Sequence, residues 1–239
     1  RSFDRAMPEE INRILIDDLS DFFFVTEESG IDHLNNEGKE ETKIYLVGNT
    51  MIDSLVNFKD SIEKSNITDE IKCPDAYGLM TFHRPSNVDR IETLSELLKT
   101  IEKCCTSLTM VLPLHPRTKK SLEKHNLWAK FKDINNLIYT DSLGYLDFMK
   151  LVSNSKIVIT DSGGIQEETT FLQIPCITVR ENTERPITIT LGNNELTQLN
   201  ANLISKRMVE KLKNTEKGEI PPFWDGHATE RILEILSTI

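Results

Sequence analysis

From about residue 42 onward, the chain alternates between short, almost wholly apolar runs and longer stretches with apolar residues three and four apart. The runs are "KIYLVG" (43–48), "YGLMTFH" (77–83), "LTMVLPLH" (108–115), "NLIYTD" (136–141), "KIVITD" (156–161) and "IPCITVR" (174–180). Between them, "NTMIDSLVNF", "VDRIETLSELLKTIEKCC", "PRTKKSLEKH", "GYLDFMKLVSNS" and "SGGIQEETTFLQ" have helical spacing. Strands that are apolar at nearly every position are buried on both faces, and repeated βα units build a parallel sheet covered by helices. The pattern therefore predicts an α/β fold with a doubly wound, Rossmann-like sheet.

Two stretches fall outside this series. Residues 1–42 hold one predicted amphipathic helix, "PEEINRILIDDLSDFFFV", whose apolar face is Ile11, Leu15, Leu19, Phe22 and Phe23. Nothing else in that stretch supplies a surface for this face to pack on. The second is the helix "ATERILEILSTI" after the aromatic turn "PPFWDG". The predicted organisation is a remnant of one lobe at 1–42, a nucleotide-binding lobe at 43–224, and a terminal helix at 225–239 that crosses back to the first lobe.

Composition narrows the function classes. A net charge of −10 argues against a nucleic-acid groove, which needs clustered Lys and Arg. It leaves room for a small anionic ligand, because a few amides and arginines override the global sign locally. No apolar run approaches the ~20 residues that span a bilayer, and no signal-peptide pattern is present. Cys73, Cys104, Cys105 and Cys176 form no C-x-x-C pair and read as buried, reduced thiols, which fits a cytoplasmic protein. No spacing of His, Cys or Asp suits a metal.

Ligands of an open parallel sheet bind at the carboxyl ends of its strands, near a switch in strand order. Gly48 and Asn49, His83 and Arg84, His115 and Arg117, Asp161 to Gly164, and Arg180 to Arg185 end the predicted strands. At "DSGG", Ser162 can cap the following helix, and Gly163 and Gly164 lack the Cβ atoms that would keep a ligand from its first amides. Such a helix start binds phosphate. It also serves as an ordinary strand-to-helix turn with a good cap, and the motif by itself leaves both readings open. It is neither G-x-G-x-x-G nor a P-loop. Glu167 and Glu168 follow within one turn, where one carboxylate can accept two ribose hydroxyls, and Glu167 reads as a plain acidic residue near a helix start. His83 suits diphosphate contact or proton transfer near neutral pH. His115, next to Pro116, reads as a turn residue. Arg185, in "ENTERP", suits bidentate phosphate binding.

Together, "RSFDRAMPEEINR", "VGNTMIDSL", "HR-x-x-NVD", "DSGGIQEE" and "TERP" occur in an order that resembles the non-hydrolysing UDP-N-acetylglucosamine 2-epimerases over nearly the whole chain. The resemblance implies a two-lobed GT-B fold with the active site in the cleft. It implies interconversion of UDP-N-acetylglucosamine and UDP-N-acetylmannosamine by elimination and re-addition of UDP. No cofactor or metal is implied, and the partners are UDP and the sugar nucleotide; separately, the unpartnered apolar face of the first helix is expected to be mobile or buried against a second copy, in a homodimer. Neither nucleic acid nor membrane is implied as a partner, and the pathway is envelope polysaccharide synthesis. Residue by residue, it makes Glu9 and His83 catalytic candidates. Ser162, Gly163 and Gly164 become the diphosphate turn, Glu168 the ribose carboxylate, Phe148 the ring beside the uracil, and Arg185 a further nucleotide contact. Leu143 stands where the family often has a polar residue, so a uracil contact there uses backbone. The resemblance also implies that about the first third of a family member lies upstream of Arg1. Two other readings follow: a hydrolysing 2-epimerase that releases UDP and N-acetylmannosamine, and a UDP-sugar-binding module without turnover.

Overall fold

A computed structural model describes residues 5, 7–214 and 216–238. Eight strands are present among them: β1 (Phe23–Val25), β2 (Ile44–Leu46), β3 (Tyr77–Thr81), β4 (Thr109–Pro113), β5 (Leu137–Thr140), β6 (Ile157–Thr160), β7 (Cys176–Val179) and β8 (Asn194–Thr197). The last six form one sheet in the order β5-β4-β3-β6-β7-β8, and every adjacent pair is parallel. The chain starts in the middle of this sheet, winds outward to β5, then returns to β6 and winds the other way. That is the doubly wound arrangement, and its switch point lies between β3 and β6.

The apolar runs form the centre of the sheet because both of its faces are covered. Along β6, Ile157 and Ile159 point into one core cluster with Met80, Leu97, Met110 and Ile177, while Val158 points into the other with Leu79, Val111 and Met149. All of these are fully or almost fully buried. Each such side chain contributes roughly 1.5–3 kcal/mol of transfer free energy. The helix Ile91–Cys105 covers the first face and Tyr145–Asn154 the second.

The amino-terminal region differs from the pattern reading in two respects. The predicted helix over 8–25 ends at Leu19, with Ser20 extended and its hydroxyl donating to the Ile16 carbonyl at 2.8 Å. Phe23–Val25 is instead β1, with Phe23 buried. The run at 43–48 does not open the large sheet; its strand β2 pairs in parallel with β1, and Phe24 stacks on Tyr45. The strand β8 was not predicted, because "NELT" is short, polar and at the sheet edge. Leu15, Ile16 and Leu19 remain exposed on the first helix.

The carboxyl-terminal helix Ala228–Leu236 is capped by a side chain from far upstream. Asp53, buried on the helix Thr50–Asn57, accepts from the backbone of Ala228 at 3.0 Å and of Thr229 at 2.6 Å. The preceding turn is anchored by Trp224, whose indole donates to the Thr26 carbonyl at 3.0 Å. Gly48 (φ +92°) lies so close that a Cβ there would sit 2.0 Å from the Phe223 carbonyl oxygen.

Candidate active site

Because Thr81 of β3 lies beside Thr160 of β6, the residues that follow these strands meet at the switch point. His83 and Arg84 come from one side, and Asp161 to Gly164 from the other. The Asp161 carboxylate is fully buried and accepts from the backbone of His83 (3.1 Å to each oxygen), the backbone of Arg84 (2.9 Å) and the Asn87 amide (3.0 Å). Its Oδ1 lies 3.1 Å from His83 Nδ1. Burial works against its charge, but the hydrogen bonds and charge of His83, then Arg84 and Asn87, hold its pKa below the ordinary aspartate value.

The helix Gly163–Phe171 begins directly beside this cluster, with Ser162 as its extended N-cap residue. The Ser162 hydroxyl makes no capping bond; its own N–H donates to Thr160 Oγ1 at 2.9 Å. Ser162, Gly163 and Gly164 are half-buried, whereas Ile165 to Thr170 are buried. The open part of the helix is therefore its first turn, where amides lack intrahelical partners. A Cβ on Gly163 would meet Arg185 Nη1 at 2.8 Å, and one on Gly164 would meet the Met51 Cε methyl at 2.7 Å. These glycines let an arginine and a methionine close against the turn.

Arg185 is fixed from two sides. Its Nε lies 2.7 Å from Glu167 Oε2, and Nη1 is paired with Glu184. Asn49 Nδ2 donates to the other Glu167 oxygen at 2.8 Å. Glu167 is thus more than an acidic residue near a helix start, because it ties the "TERP" loop to the helix Thr50–Asn57. Burial raises its pKa, and Arg185 and Asn49 oppose that rise. Burial also works against the charge of Glu184, yet Arg185 and Arg180 bring its pKa down to about 2. Glu168, one residue on, faces Tyr145; burial pushes its pKa up to about 7.

The remaining sequence candidates spread around this centre. Glu9 is exposed on the first turn of the helix Pro8–Leu19, and its charge reaches Arg84. The buried member of "PEE" is Glu10, which accepts from Arg13 at 3.0 Å. Phe148 is half-buried with Leu143 against the core cluster that contains Ile165. Arg84, named above only as a strand-end residue, donates from Nε to the Asp161 carbonyl at 2.9 Å. His115 is closer to the centre than its turn reading implied: its ring lies 5.3 Å from that of His83. Burial first, and the His83 charge second, lower the His115 pKa. Sequence reasoning missed the connecting roles of Asp161 and Asn87, which emerge when β3 and β6 are adjacent, and of Asn49 and Glu184, which emerge when the segments after β2 and β7 meet around Glu167 and Arg185.

A doubly wound parallel sheet with an open, glycine-bearing helix start at its switch point defines a Rossmann-like α/β lobe of GT-B type. The family model described as UDP-N-acetylglucosamine 2-epimerase matches residues 1–237, and the chain belongs to that family. It is 40% identical over 243 aligned residues to the UDP-N-acetylglucosamine 2-epimerase of Methanocaldococcus jannaschii, covering 99% of this chain and 66% of that protein. A Pseudomonas aeruginosa relative, UDP-2,3-diacetamido-2,3-dideoxy-D-glucuronate 2-epimerase, is 35% identical over 242 residues, covering 100% of this chain and 66% of the relative. The M. jannaschii crystal structure in complex with UDP-GlcNAc and UDP superposes with a TM-score of 0.92 at 39% identity, covering 100% of this chain and 67% of that one. The chain thus spans about two thirds of the length of these proteins. Among the described residues, no helix is long and apolar enough to cross a membrane.

Proposed function

We propose that this chain carries the nucleotide-binding part of a UDP-N-acetylglucosamine 2-epimerase, an isomerase that interconverts UDP-GlcNAc and UDP-ManNAc. The observation that carries the reading is the open helix start at Gly163–Gly164 beside His83 and Arg185 at the switch point. In the forward reaction a base removes the C2 proton of the sugar, the bond from C1 to the diphosphate oxygen breaks, and UDP leaves with that electron pair. UDP then adds back at C1 while a proton returns to the opposite face of C2.

This chemistry places negative charge on a departing diphosphate, which fixed amides and cations stabilise. The amides of Gly163 and Gly164, aided by Ser162, would receive the diphosphate, with Arg185 alongside. His83 would stand next to the β-phosphate and the anomeric carbon, Glu168 would accept the ribose hydroxyls, and Phe148 would flank the uracil. Glu9, whose charge reaches Arg84, would serve as an acid/base group. The reaction requires no metal or cofactor. The four free cysteines suit a reducing cytoplasm. The exposed Leu15, Ile16 and Leu19 face would pack against a second copy of the chain.

Proton NMR of UDP-GlcNAc incubated with the chain tests the reading. Anomeric signals of UDP-ManNAc are expected, with saturation transfer to the uridine protons. No binding to the uridine at all would overturn it. Turnover of the diacetamido-glucuronate nucleotide with none of UDP-GlcNAc would move the substrate assignment to the Pseudomonas activity.

A further inference from the structure

We infer that Asp161 is the positioning residue of His83: it fixes both the backbone and the ring, leaving Nε2 as the nitrogen that meets the substrate. The inference deepens the epimerase reading and rests on it for the role of His83. The two side chains differ sharply in environment. That of Asp161 has no exposure, whereas that of His83 is 38% exposed, so the pair runs from the core to the open side of the switch point. The carboxylate receives the His83 N–H on both oxygens and reaches Nδ1 with Oδ1 at 3.1 Å. A carboxylate only accepts hydrogen bonds, so Nδ1 must carry the proton. The other ring nitrogen, Nε2, is then free to accept a proton or to meet an oxygen of the substrate.

Neighbouring groups hold this arrangement. Asn87 donates to Asp161 Oδ2 at 3.0 Å and to the Val179 carbonyl at 3.3 Å, tying the carboxylate to β7. Arg84 Nε donates to the Asp161 carbonyl at 2.9 Å, keeping the backbones of the two strand ends together. His115 packs its ring against that of His83, and its own Nδ1 accepts from the Arg117 N–H at 3.1 Å. His83 is bounded by a carboxylate and by a second imidazole whose Nδ1 is already occupied.

A purely architectural Asp161, serving only the backbone amides, would contribute to stability without setting the tautomer. The two roles separate in the imidazole spectrum of the intact chain labelled with 15N-histidine, read where the ring is neutral. The expected result is a proton on Nδ1 of His83. In Asp161→Asn, the single carbonyl cannot serve the same donors, and the ring should shift toward the Nε2-protonated form. Turnover should then fall by about 100-fold or more with KM changed by less than about threefold. A proton on Nε2 in the unsubstituted protein would overturn the inference, and so would a folded Asp161→Asn variant that keeps its kcat. The tautomer is read in the resting protein, so it decides the matter even if the variant fails to fold. It also keeps the two proposals apart: absence of turnover in the unsubstituted chain counts against the epimerase reading, not against the tautomer.

Discussion

Asn49 and Glu167, 118 residues apart in sequence, are both buried and joined by a 2.8 Å hydrogen bond. The other oxygen of the same carboxylate lies 2.7 Å from Arg185 Nε. One side chain therefore links the helix after β2, the helix after β6 and the loop after β7. Replacing Glu167 with alanine leaves a buried amide and a half-buried guanidinium short of acceptors, although Glu184 still pairs with Arg185. We expect a loss of ~2 kcal/mol. That corresponds to a fall in Tm of roughly 4–8 °C for a chain of this size, measurable by calorimetry.

The two glycines of the helix start should respond differently to an added methyl group. At Gly163 the new Cβ meets Arg185 Nη1, which two carboxylates hold in place. At Gly164 it meets the end of the Met51 side chain, which can swing aside. Gly163→Ala should weaken UDP binding by about tenfold, equivalent to ~1.4 kcal/mol. Gly164→Ala should change it by less than about threefold. Titration calorimetry with UDP compares them, and equal losses would contradict the pinned-arginine account.

Burial of Glu168 gives stability a definite pH dependence. Its folded pKa of about 7 lies above the ordinary 4.5, so the folded state binds more protons than the unfolded state between those values. Stability contributed by this group is present below about pH 4.5 and is lost as pH rises toward 7. Glu27 and Glu167 shift in the same direction, so the comparison must isolate one residue. Glu168→Gln should lose less stability than the unsubstituted protein between pH 5 and 7 in urea melts. Parallel pH profiles would show that Glu168 titrates normally.

Much of the fold was legible because burial on both faces of a parallel sheet leaves a plain record. β6 and β7 are buried at every position, and a sheet covered on both faces accounts for such short, nearly all-apolar runs alternating with helical spacing. The errors lie where that record is ambiguous. "DFFFV" continues a helical spacing, yet its phenylalanines belong to β1, and "NELT" carries too little apolar character to announce an edge strand. Of the site, the residues at strand ends were readable from the general rule for open sheets. The Asp161 cluster was not, because which strand ends meet depends on strand order, and the sequence pattern leaves that order open. Asp161 looked like one more strand-end residue until β3 was found beside β6.

Gly48 offers a test of the contact between β2 and the carboxyl-terminal turn. Any side chain there combines a positive φ with a Cβ placed on the Phe223 carbonyl. Gly48→Ala should cost about 3 kcal/mol, with the turn displaced rather than the glycine accommodated. Tryptophan fluorescence would report it, since Trp224 is buried and bonded to Thr26. An unchanged spectrum and Tm would show that the turn does not depend on this approach.

In the proposed function, a nucleoside diphosphate sits on the first turn of the helix Gly163–Phe171. Titration of the 15N-labelled chain with UDP measures it directly, through the backbone amide resonances of Ser162 to Gly164. The account predicts that these amides show the largest saturable shifts, with smaller ones at His83 and Arg185. Saturable binding that moves other residues and leaves Gly163 and Gly164 unchanged would contradict it.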